Sequence, residues 1–283
     1  MSQVAGVGSA RVNGITLHYE IAGEGEPIFL VGGSGLGRPN LAPVEPYLVP
    51  HFTVVAFDQR GYGDSGSDGL EDATIETWVD DLVGLMDALE IDRAHVHGAS
   101  FGGMIALATA VRHPDRCLSV IPNGCFGKPD AARTLMMMAW ADHSASAGIS
   151  RGFAAHIAAQ TLHPDYLDAN PGALDEIHGM LTSVPLETWL AAVRAMLALD
   201  LEAALPSCPV PALLLAGEID TITPIDMSPS GVGMRRAAEL MPNGELEIFA
   251  GIGHGTPFEV PEQQADAIVA FAARVRARQA QTA

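Results

Sequence analysis

The 283 residues carry 34 acidic against 15 basic side chains, for a net charge of −19, and Lys128 is their single lysine. Such a charge repels phosphate backbones and anionic lipid surfaces, so nucleic-acid and membrane-surface partners are excluded first. Apolar residues make up 48% and charged ones only 17%, which supplies a sizeable core and argues against disorder.

The chain opens as a hairpin. Asn13-Gly14 offers a tight turn between a short strand near Arg11 and a longer one, Ile15–Ile21. Beyond Gly23–Pro27, the run Ile28–Val31 ends in a glycine-rich loop, and Thr53–Phe57 ends at Asp58-Gln59-Arg60-Gly61-Tyr62-Gly63-Asp64-Ser65. Short apolar runs without alternation are buried on both faces, as in a parallel sheet. Ile75, Trp78, Val79, Leu82, Leu85, Met86 and Leu89 then form one helical stripe. A strand at Ala94–Gly98 leads through Ser100 into a helix that His113-Pro114 stops near Arg112. Leu118–Ile121, Ala212–Ala216 and Leu246–Phe249 read as later strands, and Pro261 opens a closing helix to about Arg278.

Strands and helices in this rhythm predict an α/β fold: an open, mostly parallel sheet flanked by helices. Between 126 and 205 the pattern turns helical only, around Thr134–His143, Arg151–Gln160, Ala173–Leu181 and Leu186–Leu199. A helical block inserted between two strands has to sit outside the sheet. The expected organisation is a core of 1–125 and 206–283 with 126–205 as a cap, or lid; Pro206, Pro209 and Pro211 mark the return. Arg274, Arg276 and Arg278 are expected to complement the last turn of the closing helix, not to bind nucleic acid. Cys117, Cys125 and Cys208 are odd in number and show no ligand spacing, so free buried thiols and a cytoplasmic location are expected. The N-terminus shows no signal-peptide pattern, and no run approaches the ~20 apolar residues of a membrane span.

Gly98-Ala99-Ser100-Phe101-Gly102 lies between a strand and a helix, the context of a nucleophile elbow. The serine sits on a sharp turn, so the positions two before and two after must be small. A serine hydroxyl needs a base, and the base needs a third group to hold its tautomer. Strand Ala212–Ala216 runs into Gly217-Glu218-Ile219-Asp220-Thr221-Ile222-Thr223-Pro224, and strand Leu246–Phe249 into Ala250-Gly251-Ile252-Gly253-His254. Both loops fall at the carboxyl ends of strands, where open α/β sheets bind ligands. Ser100, Asp220 and His254 are therefore the candidate catalytic residues, with Glu218 and then Asp226 as alternatives to Asp220. His95 and His97 lie within a strand and should serve packing or a neighbouring hydrogen bond.

These stretches resemble the α/β-hydrolase superfamily over nearly the full chain. The run Gly98–Ala106 (GASFGGMIA) and the helical insertion are similar to its enol-lactonase, esterase and C–C-hydrolase branch. Asp58–Ser65 resembles a recurrent structural loop of the family. A serine at the elbow, where epoxide hydrolases and haloalkane dehalogenases carry aspartate, disfavours those two chemistries. The resemblance implies an oxyanion hole made by the amides of Phe101 and Ser34. Here Gly32-Gly33 replaces the family's usual His-Gly, so the second donor could slip to Gly33.

Gly33-Ser34-Gly35 after a strand also suggests a dinucleotide loop, but Arg38 stands where glycine or alanine is needed, and Pro39 and Pro43 break the following helix. No HExxH or Cys/His cluster suggests a metal. The reading is a cofactor-free hydrolase of a small-molecule ester or lactone. C–C bond hydrolysis on the same triad and a poorly active ligand-binding relative stay open, and the oligomeric state is not readable. Met136, Met137, Met138 and Trp140 are candidates to line the pocket, since flexible thioethers adapt to varied apolar shapes. Arg38 and Arg60 are the only cations near the active-site loops in sequence, so a neutral, largely apolar substrate is expected.

Overall fold

A computed structural model describes residues 4–282, and these build an eight-stranded sheet in the order β1-β2-β4-β3-β5-β6-β7-β8. The strands are β1 (Val4–Val12), β2 (Ile15–Ala22), β3 (Glu26–Val31), β4 (Phe52–Phe57), β5 (Ala94–Ala99), β6 (Cys117–Asn123), β7 (Ala212–Gly217) and β8 (Gly244–Phe249). The β1–β2 and β2–β4 pairings are antiparallel and all later ones are parallel. Asn13 and Gly14 close the first hairpin with φ of 45° and 86°, the pair of positive values that a tight hairpin turn needs. β1 is longer than the short strand expected near Arg11. Its ladder with β2 continues back to Val4 opposite Ala22, through Gly6, Gly8 and Ser9, residues with little strand preference of their own.

Alternate residues of β3 divide between two cores. Ile28 and Leu30 pack with Ile268 and Phe271 of the closing helix Pro261–Thr282. Phe29 and Val31 pack on the other face with Leu82 of helix Ile75–Ala88 and Met104 of helix Phe101–Arg112. With helices on both faces, neither side of a central strand meets water, hence the unbroken apolar runs.

The closing helix corrects one expectation. It extends to Thr282, with no basic residue in its last turn. The arginines instead reach strand carboxylates: Arg274 and Arg278 pair with Glu245, and Arg276 with Glu26. All three cysteines are free and buried, and burial pushes the Cys117 thiol up to about 12.

Between β6 and β7 the described chain is helical: Ala131–Ala147, Arg151–Thr161, Pro164–Ala169, Ala173–Ser183 and Leu186–Ala198. Asp130 and Ser150 cap the first two, accepting from Arg133 N at 2.8 Å and Phe153 N at 3.1 Å. The short helices Pro164–Ala169 and Met234–Leu240 had no counterpart in the sequence reading; each spans too few residues to show a period. Side chains fasten the block to the sheet loops. Thr188 Oγ1 donates to the Gly61 carbonyl at 2.9 Å, and Arg133 Nη1 donates to the carbonyls of Thr221 and Ile222 at 2.9 and 3.2 Å. Among the described residues, no helix is long and apolar enough to cross a membrane.

Candidate active site

The loops after β3, β5, β7 and β8 leave the parallel strands at their carboxyl ends and meet there. Ser100 follows β5 and takes φ 54°, ψ −115°, a conformation that L residues rarely adopt. Its amide donates to the Asn123 carbonyl at 2.8 Å. The flanking glycines are a steric necessity. A Cβ on Gly98 would lie 2.0 Å from the Gly102 carbonyl oxygen, and one on Gly102 would lie 2.0 Å from that of Val31.

His254 Nδ1 stands 2.8 Å from Asp220 Oδ2. The Ile222 and Thr223 amides donate to Asp220 Oδ1 at 2.8 and 2.9 Å, and Thr223 Oγ1 donates to Oδ2 at 2.7 Å. Burial pushes the Asp220 carboxyl up, but the facing imidazole and the Thr223 hydrogen bonds outweigh it and hold the group below the usual carboxylate range. The two loops are tied directly, since Ile219 N donates to the Ile252 carbonyl at 3.0 Å. Gly124, at φ 51°, forms the shelf beneath the pair, where a Cβ would meet His254 Nδ1 at 3.2 Å. The alternative acids point elsewhere. Glu218 Oε2 accepts from Gly251 N at 2.8 Å, and Asp226 pairs with Arg235 on the surface.

The loop after β3 passes beside Ser100, for a Cβ on Gly33 would come within 3.5 Å of the serine Cβ. The Gly33 amide is engaged, donating to Asn40 Oδ1 at 3.1 Å. That bond occupies the amide named as the alternative second oxyanion donor. The Ser34 carbonyl accepts from Tyr62 Oη at 2.8 Å, and the Ser34 and Phe101 amides have no partner among the described residues. The dinucleotide reading finds no support here, because the loop enters a short 3-10 turn, Arg38–Leu41, and not a helix. His95 and His97 sit within the sheet. His95 Nδ1 pairs with Ser119 Oγ at 2.8 Å and His97 Nδ1 with the Ile121 carbonyl at 2.7 Å.

Ser100, Ser34 and His254 open onto one cavity of about 100 Å³, roofed by the inserted helices. Met136, Met137 and Trp140 line it as expected; Met138 does not. On helix Ala131–Ala147 the buried side chains Met137, Trp140 and Ser144 share one face, which turns Met138 outward to 48% exposure. Three consecutive methionines cannot all face inward on a helix. Sequence reasoning missed Met104, Met180, Met196 and Trp189, which also line the cavity. Their helices could be read, but not which faces would converge. Glu176 is the one formally charged residue among the lining groups, histidine aside. Arg38 is committed to Glu20 and Asp58, and Arg60 to Asp81.

Met137→Ala is expected to lower stability by about 2 kcal/mol or more and to raise KM for apolar substrates. Met138→Ala should stay within about 0.5 kcal/mol and leave KM unchanged. Thermal melts and KM across graded acyl lengths check both.

Residues 28–270 match the model of a family described as the alpha/beta hydrolase family. RutD of Caulobacter sp. (strain K31), which carries a provisional name as a carbamate hydrolase, is 31% identical over 270 residues, covering 93% of this chain and 97% of that protein. The 2-hydroxymuconate semialdehyde hydrolase of Pseudomonas sp. (strain CF600) is 29% identical over 256 residues, covering 87% of this chain and 86% of that one. The crystal structure of the enol-lactonase from Burkholderia xenovorans LB400 superposes with a TM-score of 0.83 at 28% identity, covering 93% of this chain and 99% of that one. With the sheet, the serine turn, and the acid and histidine loops in that family's chain order, the chain belongs to the alpha/beta hydrolase family.

Proposed function

We propose that this hydrolase cleaves a neutral, largely apolar carboxylic ester or lactone through an acyl-enzyme. The observation that carries the reading is His254, held 2.8 Å from the buried Asp220 and opening with Ser100 onto one largely apolar cavity. Ser100 Oγ attacks the carbonyl carbon while His254 Nε2 takes its proton, and Asp220 holds the imidazole through Nδ1. The tetrahedral oxyanion rests on the amides of Phe101 and Ser34, preorganised donors worth roughly 3 kcal/mol each. His254 returns its proton to the departing alcohol oxygen, then activates water to release the acid. Residues 126–205 act as the cap, with 1–125 and 206–283 as the core. The mechanism uses no cofactor.

A second reading, C–C bond hydrolysis on the same triad, is favoured by the 2-hydroxymuconate semialdehyde hydrolase relative. Relative rates on p-nitrophenyl esters, lactones and a vinylogous keto acid separate the two. Labelling by a fluorophosphonate separates either enzyme from a binding protein, because only an activated serine reacts rapidly.

Substrate charge follows from the lining. With Glu176 at the cavity and no lysine or arginine among the lining residues, an ester ending in a carboxylate should react more slowly than its neutral match. Added salt should narrow the gap by screening the repulsion. A carboxylate ester that is faster at low salt, with an advantage that salt erodes, would count against a neutral substrate.

A further inference from the structure

Thr223 lies where the acid and histidine loops meet, and the mechanism above leaves it unused. Its Oγ1 is 2.7 Å from Asp220 Oδ2 and 3.2 Å from His254 Nδ1, while that Nδ1 is 2.8 Å from the same Oδ2. The three atoms close a triangle with one proton position on each of two edges. An ionised carboxylate only accepts, so the single threonine proton goes to Oδ2. Threonine Oγ1 then offers only lone pairs to the imidazole, and Nδ1 faces two acceptors. Nδ1 must carry the ring proton, which leaves Nε2 free to accept the proton of Ser100.

We propose that Thr223 is a positioning residue that, as a second acceptor facing Nδ1, fixes the Nδ1–H tautomer and ring orientation of His254. This role rests on the triad reading above. Thr223 is 2% exposed and lines the cavity wall. The other titratable groups around the pair do not take its place. The Cys125 thiol is pushed up by burial and stays protonated. Burial likewise raises the Glu259 carboxyl, and its Oε2 is occupied by the His163 amide at 3.1 Å. Two protein donors reach Asp220 Oδ2, Thr223 Oγ1 and His254 Nδ1.

Thr223→Val keeps the volume and removes the hydroxyl. Oδ2 then keeps one of its two side-chain donors and Nδ1 one of its two acceptors. Loss of the second acceptor at Nδ1 should lower kcat by about tenfold. Thr223→Ser should restore it. The downfield NMR signal of the Nδ1 proton, read in the resting protein without substrate, should shift and exchange faster with water in the valine variant and recover in the serine variant. A valine variant with wild-type kcat and Nδ1 signal overturns the proposal, as does a loss that serine fails to restore. Asp220→Asn, measured alongside, separates the two levels of argument. If it stays active, the triad reading falls and Thr223 with it; if it is crippled while Thr223→Val is not, the Thr223 role alone is lost.

Discussion

Ser100→Ala is expected to lower kcat by at least about a thousandfold and to abolish fluorophosphonate labelling, with the melting temperature essentially unchanged. The substitution takes one oxygen from the proposed nucleophile and keeps the Cβ. The backbone at φ 54° and the close passage of Gly98 against Gly102 are therefore undisturbed. Binding and the Phe101 and Ser34 amides remain, so a small residual rate from positioning survives. Steady-state rates on a p-nitrophenyl ester, paired with a thermal melt, separate lost chemistry from lost fold. Residual activity above about a thousandth of wild type would remove Ser100 from the mechanism.

Asp220→Asn should cost about a hundredfold or more in kcat, and Asp226→Asn almost nothing. Asp220 accepts from two amides, a hydroxyl and the imidazole. An asparagine has one oxygen to divide among them and turns its NH2 on the rest, breaking the cap of the loop or reversing the imidazole tautomer. Asp226 holds only an exposed pair with Arg235, and solvent-screened surface pairs contribute little. There is also a pH signature. The folded Asp220 carboxyl is held below its unfolded value, so its contribution to stability is full above the unfolded pKa and is lost as pH falls through the folded one. Acid denaturation of Asp220→Asn should lack that component. If Glu218→Gln proves the more damaging change to kcat, the acid assignment is wrong.

What could be read from the residues was what sterics and burial dictate locally. The strands showed as unbroken apolar runs because Ile28, Phe29, Leu30 and Val31 face two separate cores. The elbow showed because no residue with a Cβ fits at Gly98 or Gly102. Contacts made across long stretches of chain did not show. That Asn40 would occupy the Gly33 amide, that Gly251 would occupy Glu218, and that Glu245 and Glu26 would draw the closing arginines are all decided by where loops and helices end in space. Four of the five inserted helices were found, but the phase of Ala131–Ala147 was not, because its long run of small and apolar residues marks no single face. Met138 was lost to that ambiguity.

The backbone of Ser100 has an evolutionary consequence. At φ 54°, ψ −115° a side-chain-bearing residue costs on the order of 1–3 kcal/mol, which glycine would escape. Selection for folding alone would therefore drive position 100 toward glycine, and a lineage released from its substrate would gain stability by drifting there. On the proposed mechanism, stability and turnover pull on one position in opposite directions, and the serine marks which of the two has prevailed.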